Sequence, residues 1–216
     1  MTVSQLINNE HCGYEYHDSQ ASCAHDYLLP TVFREISTLA QGQSLNILDL
    51  GCGNGYVAAQ IAVRGHTVHA IDVSSQGIAI ARASFPLVSY HAGSVYDDDL
   101  LEKIGGPVDC IISLEVVEHL FFPKKLFEQS YRLLVDGGSL IVSTPYHGYL
   151  KNLVLSLTNG WDRHFGVDWD GGHVKFFSKT TLSRMASERG FNNIRLLPVG
   201  RLPGLWKSMI MIAEKR

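Results

Sequence analysis

Residues 49–55 of this 216-residue chain read Asp49-Leu50-Gly51-Cys52-Gly53-Asn54-Gly55. An apolar run precedes them and reads as a strand, and a helical pattern follows from about Gly55. Glycines at such a corner let the backbone turn sharply and approach a ligand without a Cβ in the way. The spacing is Gly-x-Gly-x-Gly, and Tyr56 occupies the position where a dinucleotide fingerprint has its third glycine. The sequence therefore disfavours a pyrophosphate-binding dehydrogenase.

Apolar runs alternate with helical patterns on both sides of this corner. The predicted strands are residues 45–50, 67–71, 87–91, 108–113, 139–144, 193–199 and 206–213. We expect a covering helix to begin near Pro30, and another helix to start at Pro123 and end at Gly137 and Gly138. This alternation is typical of βαβ units and predicts an α/β fold with a mainly parallel sheet in one domain.

Asp72 closes the predicted second strand, about twenty residues past the glycines. An acidic side chain at that position accepts both hydroxyls of a ribose. The alternative is that Asp72 only caps the helix that follows. Because the glycines and the acid are in register, we prefer the ribose interpretation.

Three further segments complete a resemblance to a known family. Residues 47–55 are similar to motif I of the class I S-adenosylmethionine-dependent methyltransferases, and Asp72 stands where that family has its ribose-binding acid. Residues 114–119, Leu-Glu-Val-Val-Glu-His, and residues 134–140, Leu-Val-Asp-Gly-Gly-Ser-Leu, resemble the segments around its fourth and fifth strands. The form of residues 115–119 is closest to the ubiquinone-biosynthesis type of O-methyltransferase. The matches cover about residues 43–146 and are jointly specific.

The resemblance implies an enzyme with a Rossmann-like, doubly wound, seven-stranded sheet, helices on both faces and an antiparallel last strand. It also implies S-adenosylmethionine as the cofactor. The implied cofactor-binding residues are Asp49, Gly51, Cys52, Gly53, Gly55, Asp72, Val73, Ser94, Val95 and Glu115. Three of them are carboxylates, which suit a sulfonium cation better than a phosphate.

The order of the predicted elements also divides the domain, because residues 146–172 are too long for a simple connection between a strand and a helix. Residues 1–42 would form N-terminal cap helices and residues 43–145 the cofactor-binding half. Residues 146–172 would be an insertion or lid, and residues 173–216 the closing helix and strands. Within the insertion an amphipathic pattern predicts one helix, carried by Leu150, Leu153, Val154, Leu157 and Trp161. Plain packing on the sheet is the alternative to a lid.

The acceptor side depends on two histidines. A hydroxyl acceptor must lose a proton during methyl transfer, which requires a general base or a metal. The candidate bases are His119, His147, His164 and His173, although each alone could be structural. His147, which follows the fifth strand, and His173, which precedes a later helix, are the two we assign to catalysis. Glu115, Glu118 and His119 have i, i+3, i+4 spacing, and in ubiquinone-type relatives this cluster is associated with a divalent metal. We favour a structural role and predict that no metal is needed.

The composition and net charge of the chain limit the kinds of partner that we expect it to bind. The formal net charge is −3, and no basic run suits nucleic acid, so we expect a small-molecule acceptor. No stretch approaches the roughly 18 apolar residues of a membrane span, although peripheral membrane contact stays open. The N-terminus lacks signal-peptide features and the four cysteines form no metal or disulfide pattern, so we expect a cytoplasmic protein. The oligomeric state is left open.

Two rival functions remain. A methyltransferase fold can hold S-adenosylmethionine without turnover, as a binding module or partner subunit, and only turnover assays separate this from an enzyme. A nucleic-acid methyltransferase would carry an Asp/Asn-Pro-Pro-aromatic motif after the fourth strand, where this chain has Ser113-Leu114-Glu115-Val116. We rank that function low.

Overall fold

The computed structural model describes residues 15–166, 168, 172–201 and 206–216. Within them the chain forms one seven-stranded sheet. Its strands are β1 (Asn46–Leu50), β2 (Thr67–Asp72), β3 (Ser89–Ala92), β4 (Val108–Leu114), β5 (Leu134–Pro145), β6 (Phe191–Val199) and β7 (Ser208–Lys215). The strand order is β3-β2-β1-β4-β5-β7-β6. Only the β5–β7 and β6–β7 pairs are antiparallel. The predicted mainly parallel sheet with an antiparallel last strand is confirmed.

Helices cover both faces of this sheet. They are α1 (His25–Ala40), α2 (Tyr56–Ala62), α3 (Ser75–Ser84), α4 (Leu100–Lys103), α5 (Lys124–Leu133), α6 (Tyr149–Leu157), α7 (Trp161–Phe165) and α8 (Lys179–Ser187), with a short 3₁₀ helix at Val117–His119. Successive side chains of a strand point to opposite faces, so Ile47 and Leu48 of β1 belong to two different apolar clusters. The Ile47 cluster includes residues of α1, α2 and α3, and the Leu48 cluster includes residues of α5 and α8.

The strand order reverses between β1 and β4, the two strands at the centre of the parallel part. In open α/β sheets a ligand binds outside the carboxyl ends of the strands at such a reversal. β1 ends at Leu50, β2 at Asp72 and β4 at Leu114, so these three ends define the edge where a ligand is expected.

The start of β5 differs from the sequence prediction. Helix α5 ends at Leu133, and β5 begins at Leu134, whose partner in β4 is Val108. Gly137 and Gly138 therefore lie inside the strand and do not end the helix. Gly137 has a φ of 77°, and the β4–β5 register shifts between Val108 and Cys110. The glycines accommodate this irregularity, which local sequence reading mistook for a helix stop.

Helix α1 also begins earlier than predicted, at His25, and Pro30 lies inside it. A proline within a helix removes one backbone hydrogen bond and crowds the carbonyl four residues before it, and the burial of Leu28, Val32 and Ile36 offsets that cost.

The single helix predicted in the insertion is two helices, α6 and α7. Asn159 has a φ of 50°, which ends the first helix before the second starts at Trp161. Neither helix contains a buried residue. Trp169 of the predicted lid, the Pro203–Gly204 connection and residues 1–14 of the predicted cap lie outside the described residues.

Candidate functional site

The glycine loop sits at the carboxyl end of β1 and is shaped by three left-handed residues. Gly51, Gly53 and Gly55 have φ values of 90°, 54° and 78°. A Cβ on Gly51 would lie 2.4 Å from the Val116 Cγ2 atom, and a Cβ on Gly53 would lie 2.5 Å from the Tyr16 hydroxyl. Both positions therefore need glycine for conformation and for space.

Gly55 and Cys52 differ from Gly51 and Gly53 in their surroundings. A Cβ on Gly55 would lie 2.6 Å from the Ala81 Cβ atom and 2.7 Å from the Tyr90 hydroxyl, so this glycine admits helix α3 against the loop. The Cys52 side chain is buried, and burial raises the pKa of its thiol well above the ordinary value. The space at Gly55 and the thiol of Cys52 thus serve packing, and a cofactor would meet only their backbone.

Asp72 connects the loop to the start of α3. One carboxylate oxygen accepts the Gly53 N–H at 2.8 Å and the other accepts the Ser74 N–H at 2.8 Å. Ser74 itself caps α3 by accepting the Gly77 N–H at 3.0 Å, so Asp72 is not the helix cap. Burial raises the pKa of Asp72. The backbone N–H of Val73 also stabilises the carboxylate, and an acceptor position remains for a ligand hydroxyl.

Asp49, in contrast, has an unmet carboxylate oxygen. The residue is 2% exposed, and within the described part of the chain its Oδ2 atom accepts no hydrogen bond. Burial, and secondarily the charge of Asp72, raise the pKa of Asp49 to about 8. A buried acid with these neighbours is stabilised by a proton or by a cation, and a bound ammonium or sulfonium group would supply the second.

Glu115 lies at the end of β4 in a strained conformation, with a φ of 55°. Its carboxylate accepts the Ser143 hydroxyl at 2.7 Å and the Ser208 hydroxyl at 3.4 Å, which ties it to β5 and β7. Burial raises the pKa of Glu115 to about 6. The 3₁₀ helix begins only at Val117, so Glu115 does not share a helix face with Glu118 and His119 as its spacing suggested.

Three of the implied cofactor-binding residues, Val73, Ser94 and Val95, lie beside β2 and β3. Val73 is 53% exposed at the end of β2, whereas Ser94 and Val95 are buried. The Ser94 N–H donates to the Asp97 carboxylate at 3.0 Å, and Asp97 is paired with Lys103 at 3.0 Å. Val73 is thus the apolar side chain of this group that is accessible to a ring.

A second cluster lies at the 3₁₀ helix. Ligand atoms of Glu118, His119 and His173 lie within 4.8 Å of one another. Glu118 is 1% exposed, burial raises its pKa well above the ordinary value, and the His173 Nε2 atom is 4.0 Å from its Oε1 atom. The Glu118 backbone carbonyl also accepts the N–H groups of Val174 and Lys175, at 2.9 and 3.0 Å. These two backbone bonds fasten the segment after His173 to the 3₁₀ helix. The donor set of the three side chains suits a divalent ion.

The two candidate bases lie in different surroundings. The His147 ring packs against Phe165 and Phe176, with centroid distances of 5.8 and 5.0 Å. Burial, and then the charge of Lys151, lower the pKa of His147 to about 4. Burial, and then His119, lower the pKa of His173 to about 4. Both imidazoles are therefore neutral at pH 7 and able to accept a proton.

Comparison with known proteins is consistent with this geometry. The sequence matches a family described as a methyltransferase domain over residues 24–196. The chain belongs to this methyltransferase-domain family. The methyltransferase resemblance predicted from the glycine loop is confirmed.

Individual relatives of the methyltransferase domain are more distant. A ubiquinone biosynthesis O-methyltransferase of Caulobacter sp. (strain K31) is 34% identical over 116 residues, covering 53% of this chain and 46% of the relative. One from Thiobacillus denitrificans (strain ATCC 25259 / T1) is 29% identical over 175 residues, covering 77% and 73%. The magnesium protoporphyrin IX methyltransferase of Synechocystis PCC 6803, solved with bound SAH, superposes with a TM-score of 0.67 at 17% identity, covering 99% and 95%.

Several of these matches cover only part of the related protein. The chain spans about half the length of several of the curated relatives that it matches. The structural likeness, at 17% identity, shows the shared fold. Among the described residues, no helix has both the length and the apolar character needed to cross a membrane.

Sequence reasoning missed two residues of the methyltransferase domain's ligand edge. Tyr16 contacts the glycine loop, and no local pattern marks it. Lys151 lies in α6 and donates to the Tyr146 carbonyl at 3.0 Å, and it lowers the pKa of His147 from nearby. Lys151 is the one charged residue of α6, which could have marked it in the sequence. The apolar spacing of a helix carries no information on its charged positions.

Proposed function

We propose that the chain binds S-adenosylmethionine across the carboxyl ends of β1, β2 and β4 and transfers its methyl group to a hydroxyl oxygen of a small molecule. The observation that carries this proposal is the unmet Oδ2 atom of Asp49, buried beside Asp72 and the glycine loop. The cofactor carries an ammonium and a sulfonium group, and either cation next to this buried pair of acids is favourable.

The roles of the other cofactor-binding residues follow from where they lie at the carboxyl ends of the strands. The methionine part of the cofactor would lie over Gly51 and Gly53, with its ammonium group facing Asp49. Asp72 would bind the ribose hydroxyls, and Val73 would contact the adenine ring. Ser94, Val95 and Glu115 would line the site, with Cys52 and Gly55 contributing backbone only.

The acceptor would enter from the side of β5. Methyl transfer is an in-line displacement, so alignment of the two reactants supplies most of the acceleration. A hydroxyl acceptor needs proton removal in addition, and the neutral imidazole of His147 or His173 can accept that proton. The names of the Caulobacter and Thiobacillus relatives, both O-methyltransferases, support oxygen as the acceptor atom.

Helices α6 and α7 would cover the acceptor during the reaction. They follow β5 directly, present apolar side chains such as Leu153 and Leu157 to solvent, and have no buried residue to hold them in place. Lids exclude water on closure and are drawn from locally weak regions.

For Glu118, His119 and His173 we propose a bracing role. A divalent ion held there would lower the pKa of an acceptor hydroxyl. The Val174 and Lys175 N–H groups bond the Glu118 backbone carbonyl and hold this segment against the 3₁₀ helix. We propose that the side chains of the cluster brace the same junction, and we expect methyl transfer to proceed without an added ion.

A screen with methyl-labelled S-adenosylmethionine tests the proposal. Purified protein is incubated with phenols, sugars and small acids, and label in the product fraction is counted. We expect transfer to a hydroxyl-bearing acceptor, with little transfer in Asp72→Ala. Cofactor binding without transfer to any acceptor class would favour the binding-module function. Absence of cofactor binding by the folded protein would overturn the proposal.

A further inference from the structure

The segment that precedes α1 is fastened to the glycine loop. Residues 15–24 form no regular helix or strand. The Asn54 side-chain amide donates from its single nitrogen to the Asp18 carbonyl at 3.0 Å and to the Gln20 carbonyl at 2.9 Å. Both acceptors are backbone carbonyls, so a carboxylate at residue 54 could not make these bonds. Asn54 is therefore the point at which the loop holds this segment.

A stacked ring pair fixes the far end of the segment. The rings of His25, at the start of α1, and Tyr56, at the start of α2, have centroids 5.3 Å apart and an interplanar angle of 7°. The segment is thus held at its centre by Asn54 and at its end by this pair, which limits how far it can move from the loop.

The held segment places the Tyr16 ring directly on the backbone of the loop. A Cβ on Gly53 would lie 2.5 Å from the Tyr16 hydroxyl, and a Cβ on Gly77 would lie 3.0 Å from the Tyr16 Cδ2 atom. Only glycine at both positions leaves room for the ring. The Gly53 N–H is also the donor to Asp72, at 2.8 Å. The phenol ring therefore lies beside the carboxylate to which the proposed function assigns the ribose.

We propose that Tyr16 contacts the cofactor and that Asn54 is a positioning residue that holds Tyr16 there. Residues 15–24 then form the outer wall of the cofactor site, and the Tyr16 ring covers the part of S-adenosylmethionine between ribose and methionine. A tyrosine supplies apolar area to that wall and a hydroxyl that can bond a polar ligand atom. This inference rests on the proposed function.

Calorimetry with S-adenosylhomocysteine, the cofactor product, tests the inference. The variants are Tyr16→Ala, Tyr16→Phe, Asn54→Ala and the double variant Tyr16→Ala/Asn54→Ala. His17→Ala is the matched control because it is the exposed neighbour in the same segment. We expect Tyr16→Ala to weaken binding about tenfold or more, since the ring contact and its hydroxyl are both lost. Tyr16→Phe should lose less, and His17→Ala should bind like the wild type.

The double variant separates positioning from a merely structural role. If Asn54 acts through Tyr16, Asn54→Ala weakens binding by itself but adds little in the Tyr16→Ala background. Additive losses, or a lowered melting temperature of Asn54→Ala with unchanged affinity, would overturn the positioning role. Unchanged or tighter binding by folded Tyr16→Ala would overturn the contact, and tighter binding would mean that the ring occupies the cofactor's place. If wild-type protein binds no S-adenosylhomocysteine, the proposed function itself fails.

Discussion

The two sides of the ligand edge are built differently. On the cofactor side, Asp49 and Asp72 are buried, and the glycine loop is held by short hydrogen bonds and close packing. On the acceptor side, α6 and α7 contain no buried residue, and Tyr149 and Leu157 are 84% and 78% exposed. One half of the site is an extension of the core, and the other rests on the surface.

This difference matches what each side has to do. The cofactor is the same in every turnover, so its site gains from groups whose geometry is set before binding. The acceptor must enter and leave, and the cover over it needs a low free energy of opening.

The largest effect expected from this contrast is in hydrogen exchange. Amides of α6, at Tyr149–Leu157, should exchange at least about a thousandfold faster than those of β1, because local opening of a surface helix costs far less than exposure of the core. Exchange in α6 should slow when cofactor product and acceptor are both bound. Mass spectrometry of peptides from the two regions measures this directly. Equally slow exchange in both regions of the free protein would make α6 a fixed part of the structure.

The next largest effect is expected on kcat when the general base is replaced. For a hydroxyl acceptor, we expect either His147→Gln or His173→Gln to lower kcat by about 10²–10⁴, the usual contribution of a general base. His164→Gln is the matched control, since its ring lies 5.7 Å from that of His147. Because the pKa of both candidates is about 4, kcat/KM for the acceptor, measured at saturating S-adenosylmethionine, should fall only as the pH drops through that value and protonates the base. Full activity in both variants would remove the histidines from the chemistry.

Asp72 carries the main prediction for the cofactor side. Asp72→Ala removes the acceptor for the Gly53 N–H together with the proposed ribose contacts. We expect a loss of about 1–3 kcal/mol in S-adenosylmethionine binding, roughly five- to 150-fold in Kd. Calorimetry on the folded variant measures the loss, and circular dichroism checks the fold. Unchanged affinity would mean that Asp72 only braces the loop.

The sequence predicted the glycine turn after β1 and the place of Asp72 at the end of β2, because both are determined locally. A left-handed turn between strand and helix requires glycine, and the acid about twenty residues later follows from the length of one βα unit. The start of β5 could not be read this way, since Leu134 pairs with Val108 through an irregular register that only the folded sheet defines. The position of Tyr16 was not predicted for a similar reason, because its contact with Gly53 joins distant parts of the chain.

The secondary structure of the segment after β5 was predicted only in outline. The apolar spacing indicated a helix after β5. The break at Asn159 depends on the left-handed conformation of that one residue, which the apolar spacing does not reveal. The spacing of Glu115, Glu118 and His119 suggested a shared face, whereas the conformation of Glu115 instead points its carboxylate to Ser143 and Ser208. Side-chain partners from β5 and β7 settle that conformation, and spacing carries no information on them.

The smallest effect is expected from chelation. Because Glu118, His119 and His173 have a bracing role in this account, methyl transfer should be unchanged after exhaustive treatment with a chelator. Activity is measured before and after treatment, and again after adding Mg²⁺ or Zn²⁺. A loss that either ion restores would assign the cluster to a metal that activates the acceptor hydroxyl.

The central claim is that buried acids, Asp49 foremost, hold a cationic cofactor. In the free protein the pKa of Asp49 is about 8, so at pH 7 the carboxyl is mostly protonated, and binding a cation must release that proton. Affinity for S-adenosylmethionine should therefore rise as the pH increases from 6 to 7.5.

Calorimetric titration at pH 7, in two buffers with different ionisation enthalpies, counts the released protons. For the wild type we expect close to one proton per bound S-adenosylmethionine, and for Asp49→Asn we expect none, together with weaker binding. Binding of S-adenosylmethionine by the wild type with no proton release, and with equal affinity in Asp49→Asn, would contradict the account.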